Sequence, residues 1–243
     1  MRFHIIQKME HLIRTQTAAK KKVLTEDLGK IFEMAICKLY DTEYDGNYKY
    51  SLDEATALKD RISNLKSIFP HTIKHTARGG NKYDFCGAED LNIKLSAKTT
   101  KKDGKVCPQV IGQPSKKKFC QFFGLVGEEY DLPRIKRYIE ENATQLLDVY
   151  FENTFDCPVV YFNQHKNKLI FVRFKDRINW TNCNITFSHI VKNRQWNEST
   201  GLLVDNNTIG EFQVHNHRDC IKFRWAFEKL LDAFKDHFEM VEL

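Results

Sequence analysis

The chain has 243 residues, 42% hydrophobic and 29% charged, which fits a globular protein of one domain with a full-sized core. Its 18 Phe and 9 Tyr against 5 Pro and 11 Gly exclude disorder and collagen-like repetition. The net charge of +6 is unevenly laid down: residues 94–118 hold eight lysines and one acid, a local +7, so everything outside that window sums to −1.

No stretch approaches the roughly 20 apolar residues of a membrane span, and residues 1–10 lack the features of a secretory signal. The expectation is an intracellular protein with no membrane partner, cytoplasmic in a bacterium or in the host cell if viral. Seven cysteines are an odd number, scattered, with no Cys-x-x-Cys pair, which points to reduced and mostly buried thiols rather than disulfides or structural zinc.

In chain order, Leu28, Ile31, Phe32, Ala35, Ile36 and Leu39 recur at helical spacing behind Thr25, a plausible N-cap. Ser51-Leu-Asp-Glu54 has the form of a capping box and predicts a second helix running to about Phe69, stopped by Pro70. Residues 71–83 read as loop, punctuated by Gly79-Gly80. A β-hairpin follows, with Tyr83–Cys86 on one arm and Leu91–Lys98 on the other. Alternation predicts Leu91, Ile93, Leu95 and Ala97 toward a core and Asn92, Lys94, Ser96 and Lys98 on a polar face across from Asp84.

Residues 133–150 read as helix, and 157–162, 168–174, 183–191 and 209–215 as strands. The stripe Phe223, Ala226, Phe227, Leu230, Leu231, Phe234 and Phe238 predicts a final core-facing helix. With no repeat and no linker, the expectation is a single α/β domain over 1–243, its catalytic core at about 25–125 and its C-terminal strands and helix at about 155–243.

Hydrolysis of a phosphodiester needs an in-line water, charge neutralisation at phosphorus and help for the leaving oxygen, which a divalent metal on oxygen ligands beside a lysine can supply. Asp84, the Asn92 amide and the Ile93 carbonyl are such oxygens and suit Mg²⁺. Lys94 would then orient or deprotonate water, and Glu33, on the flank of the first helix, would support the metal from outside. By residue type alone these groups are more readily ordinary solvated side chains.

The same residues resemble the signature of the PD-(D/E)xK nucleases, in the Asn-x-Lys variant found among MspI-like type II restriction endonucleases. Three pieces carry the resemblance: Asp27-Leu-Gly-Lys-Ile-Phe-Glu33, Gly79-Gly-Asn-Lys-Tyr-Asp84 and Asn92-Ile-Lys94-Leu-Ser96-Ala-Lys98. It implies a restriction-endonuclease-like fold, a mixed central β-sheet flanked by helices. It also implies a Mg²⁺-dependent, sequence-specific break in double-stranded DNA at a short palindrome, leaving 5′-phosphate and 3′-hydroxyl ends. Asp84, Asn92, Lys94 and Glu33 would be catalytic, with Asp84, Asn92 and Ile93 on the metal. A cognate DNA methyltransferase would act on the same site. A symmetric dimer would match a palindrome, and a monomer nicking each strand in turn stays open. The alternatives are a structure-selective or repair nuclease of the same superfamily, and a non-catalytic nucleic-acid-binding protein.

For DNA contact, Ser96, Lys98, Lys101, Lys102, Lys116, Lys117 and Lys118 are expected along the backbone, where lysines give affinity and salt dependence without sequence information. Gln109, Gln113, Arg194, Gln213, His215, His217 and Arg218 offer the donors and acceptors that base reading needs. The string His215-Asn216-His217 is not the HNH nuclease motif, whose residues are spread over a ββα unit. His215 and His217 share a strand face and could chelate a metal, but no third ligand appears at a convincing spacing, so structural or DNA-contacting histidines are expected.

Overall fold

The computed structural model describes residues 25–78, 81–102, 104–125, 127 and 131–243; Gly79 and Gly80, part of one motif segment above, lie outside them. Helix α1 (Thr25–Tyr40) buries Leu28, Ile31, Phe32, Ala35, Ile36 and Leu39, as the spacing predicts. The second helical segment is broken in two, α2 (Leu52–Arg61) and α3 (Leu65–Ile68). Ser51 caps it by accepting from the Asp53 amide at 3.2 Å. Ile62 and Leu65, on either side of the break at Ile62–Asn64, are both fully buried.

The segment read as loop contains strand β1 (Ile73–His75), followed by β2 (Phe85–Gly87) and β3 (Lys94–Thr100), which form an antiparallel meander. Gly87 is demanded by close approach: a Cβ there would meet the Asp90 carbonyl oxygen at 2.1 Å. The polar face expected on β3 is not solvated. Leu95 is buried, but so is Ser96, while Leu91 is 62% exposed in the turn. A strand covered on both faces breaks the alternation rule used to read it.

After β4 (Lys105–Val106) come three helices, α4 (Lys116–Phe123), α5 (Leu132–Glu141) and α6 (Ala143–Phe155), the last two dividing the predicted 133–150 helix at Asn142. Strands β5 (Val159–Asn163) and β6 (Lys168–Phe174) fall where predicted. Residues 183–191 split into β7 (Ile185–Phe187) and the single-turn α7 (Ser188–Val191); β8 (Ser199–Val204) escaped the sequence reading, and β9 (Asn207–Val214) did not.

The predicted final helix is a correction. Ile221, Phe223 and Trp225 are buried with Lys222 and Arg224 between them, a period of two, so this stretch is β10 (Ile221–Ala226), followed by a two-turn α8 (Phe227–Ala233) and the closing strand β11 (Phe238–Glu242). Aromatic residues that fit a helical stripe fit a strand as well, and Tyr150 stacked on Phe223 at 4.3 Å is made from the strand.

The fold is therefore mixed α/β, with two sheets and flanking helices. One sheet runs β1-β2-β3-β5-β6-β11, with β3 and β5 parallel and every other pair antiparallel. The other, wholly antiparallel, runs β4-β10-β9-β8-β7. β5 and β6 separate two cores. Val160, Phe162, Leu169 and Phe171 pack with α1, whereas Val159, Tyr161, Ile170 and Val172 pack with α6 and the second sheet. Among the described residues, no helix is long and apolar enough to cross a membrane.

Glu228 at the start of α8 fastens the two sheets together. Its carboxylate accepts from Tyr161 Oη at 3.0 Å, Asn163 Nδ2 at 2.6 Å and Lys166 Nζ at 2.8 Å. Burial pushes its pKa up, but the bonds from Lys166, Asn163 and Tyr161 outweigh that and hold it below the ordinary 4.5. A lowered folded value means that stability is complete above the unfolded pKa and is lost as pH falls through the folded one. Glu228→Gln should therefore lower unfolding free energy by about 1–3 kcal/mol at pH 7. Urea titrations at a series of pH values should show that gap closing below pH 4.5.

Candidate active site

The meander and α1 enclose an open cleft of about 1350 Å³, lined among others by Lys30, Glu33, Tyr44, His75, Asp84, Lys98 and Thr99. Register decides what meets there. Phe85 pairs with Leu95 and Cys86 with Lys94, which sets Asp84 opposite Ser96 rather than Asn92. The chain leading into Asp84 is held at both ends: Thr76 donates to the Asp84 carbonyl at 2.8 Å, and Tyr83 Oη and Lys82 Nζ reach the Asp156 carboxylate at 2.5 and 2.6 Å.

Asp84 Oδ2 accepts from the Ala97 amide at 2.8 Å and from Lys98 Nζ at 3.2 Å, both side chains being 18% exposed. Among the described residues no hydrogen bond reaches Oδ1, which stays available to a ligand in the cleft. On the facing helix, Glu33 Oε2 lies 3.0 Å from His75 Nε2. The Asp45 amide donates to His75 Nδ1 at 3.0 Å, so that nitrogen is unprotonated and Nε2 carries the proton donated to Glu33. Tyr44 stacks on the ring at 4.4 Å. Burial, then the Glu33 charge, pushes the Tyr44 phenol up and the Cys37 thiol up to about 12, so both stay protonated beside the carboxylate.

The structure thus brings together Asp84, Glu33 and Lys98, and adds His75, which the sequence reading did not consider. It does not bring in the rest of the expected set. Asn92 sits exposed in the hairpin turn, its backbone N–H donating to Asp90 Oδ1 at 2.9 Å. The Ile93 carbonyl, expected on a metal, is taken by the Gly87 amide at 2.8 Å. Lys94 is two residues beyond the level of Asp84, about 7 Å along the strand, and its ammonium lies 4.5 Å above the Tyr83 ring.

The expected DNA-contacting residues divide in the same way. Ser96, Gln109 and Lys116 are buried and cannot reach a backbone in this conformation. Gln109 is turned inward, its Nε2 on Ser96 Oγ. The turn that does this passes through Val110, a β-branched residue at φ 60° and 71% exposed, a conformation that costs about 1–3 kcal/mol. Gln213 is half-buried and donates to Glu211 at 2.6 Å. Lys102, Gln113, Lys117, Lys118, Arg194, His217 and Arg218 are exposed, and Lys101 and His215 are half-buried.

Comparison with known proteins places one enzyme beside this geometry. Over 222 residues, 91% of the chain, it is 46% identical to the type II restriction enzyme CviAII of Paramecium bursaria Chlorella virus 1. The chain spans 64% of that enzyme's length. No family profile and no solved structure matches the chain.

The hydrogen-bond pattern around His75 makes a direct prediction. A long-range proton–nitrogen spectrum at neutral pH should show His75 as the Nε2–H tautomer with Nδ1 unprotonated. Glu33→Ala should leave the Asp45–Nδ1 bond in place and shift only the Nε2–H resonance.

Proposed function

We propose that this chain is a type II restriction endonuclease that cuts double-stranded DNA within a short palindrome, leaving 5′-phosphate and 3′-hydroxyl ends. The likeness over 222 residues to a type II restriction enzyme carries the reading, and the cleft holding Asp84, Lys98 and Glu33 supports it. The PD-(D/E)xK resemblance is kept, with its second half moved by one strand repeat: Ser96-Ala-Lys98 takes the part first given to Asn92-Ile-Lys94, at the same polar-x-Lys spacing.

The donor set fits a hard divalent cation such as Mg²⁺. Two carboxylates line one cleft, each with one oxygen committed to the protein and the other open. Such an ion would supply charge neutralisation at the scissile phosphate and a more acidic water. Asp84 would hold it, and Glu33, on the other wall of the cleft, would support it from outside. The Ala97 amide fixes which Asp84 oxygen faces the cleft. His75 holds Glu33 in place by donating from Nε2 and takes no proton in exchange, because Nδ1 is engaged by the Asp45 amide. The Lys98 ammonium, beside the Asp84 carboxylate, is placed to meet a phosphate oxygen or the attacking water, where its charge counts most in the crowded transition state. A homodimer on the two-fold symmetric site and a companion methyltransferase protecting host DNA belong to the same proposal.

Two experiments test it. Plasmid DNA treated with the purified protein and Mg²⁺ should give discrete fragments whose sequenced ends define one palindrome; a smear, or no cleavage with any divalent ion, would refute the reading. Asp84→Ala and Lys98→Ala should lower cleavage by about 10²–10⁴-fold while DNA binding persists, whereas Lys94→Ala should stay within about tenfold of wild type. The reverse ranking of the two lysines would restore the Asn92–Lys94 alignment. For the gripping surface, replacing both Lys117 and Lys118 by Gln should flatten the log–log salt dependence of DNA binding by about 1.8, with Lys116→Gln adding nothing to that slope because Lys116 is buried.

A further inference from the structure

At the far end of the second sheet, three side chains converge without a role in the cleft. Glu198 immediately precedes β8, and His215 and His217 follow β9, in the turn that leads to β10. The pairing of β8 with β9, extended by the 2.7 Å bond from the Val214 amide to the Glu198 carbonyl, carries Glu198 to the level of the two histidines. This is the third ligand that the sequence did not reveal, because it is separated from His215 by a whole hairpin.

We propose that Glu198, His215 and His217 form a binding site for a divalent transition metal of the zinc class. The ligand atoms offered by the three residues lie within 4.8 Å of one another. Glu198 Oε2 is 3.0 Å from His215 Nδ1, and Oε1 is 3.5 Å from His217 Nδ1. Metal bonds of about 2.05 Å in tetrahedral array put neighbouring donors about 3.3 Å apart, and one ligand atom from each of the three residues, all within 4.8 Å of one another, can close onto an ion at that spacing by small side-chain adjustments. Despite the 3.0 Å approach, among the described residues neither ring nitrogen of His215 makes a hydrogen bond, although both are sealed from solvent and the side chain is only 13% exposed. Donors that are close but not aligned on each other are what chelation of a third atom produces.

A buried imidazole nitrogen without a partner is costly to desolvate, and a bound ion would remove that cost. The carboxylate is held in position from behind: Lys136 Nζ grips the Trp196 and Asn197 carbonyls at 3.0 and 2.6 Å, anchoring the strand entry that presents Glu198. Two imidazoles and a carboxylate favour zinc, nickel or cobalt over Mg²⁺, and leave a fourth position for water or for another ligand. The ion would fasten the β9–β10 turn, which carries His217 and Arg218, to the start of β8.

The test uses the full chain without an affinity tag, stripped of metal and titrated with Zn²⁺ against a chromophoric chelator in millimolar Mg²⁺, which occupies hard oxygen sites. Wild type should bind one equivalent, and Co²⁺ in its place should give the absorption of a four- or five-coordinate ion. His217→Ala and Glu198→Gln change side chains that are 63% and 50% exposed, so both should fold, and each should weaken Zn²⁺ binding at least tenfold. Absence of stoichiometric zinc in folded wild type, or wild-type affinity in both variants, would overturn the assignment, the second result placing the ion elsewhere on the chain.

Discussion

The register of the β2–β3 hairpin is the constraint on which the cleft depends. Pairing Phe85 with Leu95 puts the Asp84 carboxylate against the Ala97 amide and within reach of Lys98. A slip of one residue would turn Ser96 and Lys98 to the α1 side and put Leu95 and Ala97 opposite, since strand side chains alternate between faces. Gly87 enforces the register, because only a residue without Cβ tolerates the approach of the Asp90 carbonyl. The Asp156 contacts with Lys82 and Tyr83 fix the same arm from the other side. The site is thus positioned mainly by backbone bonds and sheet pairing, with side chains added to a frame already set.

β5 and β6 explain why that frame holds. They carry apolar residues on both faces, so burial of either core reinforces the other through one shared pair of strands. β3 is joined to this pair by the parallel ladder with β5, which links the cleft to the interior of the molecule. The face of β3 that carries Ser96 is consequently covered rather than wet, and Thr100 at its end is bonded to Tyr161 at 2.7 Å.

What could be read from the sequence follows from these features. The first helix was legible because its apolar residues recur at three- and four-residue spacing, and Glu33 on its flank lines the cleft. Asp84 was legible as the acid at the start of a hairpin. The partner of Asp84 was not, because Asn92-Ile-Lys94 and Ser96-Ala-Lys98 have the same spacing, and local sequence cannot tell which of two identical spacings is paired opposite a given residue. Burial would separate them, yet Ser96 and Lys98 look like surface residues when written in a row. His75 was missed because its strand has three residues, too short for periodicity. β10 was misread because Phe223, Phe227 and Phe234 satisfy a helical pattern by coincidence with the buried positions of a strand followed by a turn of helix.

The lysine window is also changed by seeing it folded. Lys98 is paired with Asp84 and Lys105 with Glu211, acids from outside the window, while Lys94 lies over Tyr83 and Lys116 is buried. The +7 of the sequence therefore overstates the field presented to solvent, and the exposed remainder is Lys102 near the end of β3 with Lys117 and Lys118 at the start of α4. The last placement works against the helix. Its first turn has no acid, and three lysines stand where the dipole is positive, a penalty of about 0.3–1 kcal/mol for each exposed charge. Stability alone would favour Asp or Glu there. A polyanion approaching the same end reverses the sign, since phosphate is attracted both by the ammonium groups and by the positive end of the helix dipole. On the nuclease reading, the unfavourable charge of the free protein is therefore the favourable charge of the complex, and α4 is the part of the window where grip on the backbone is expected to be strongest.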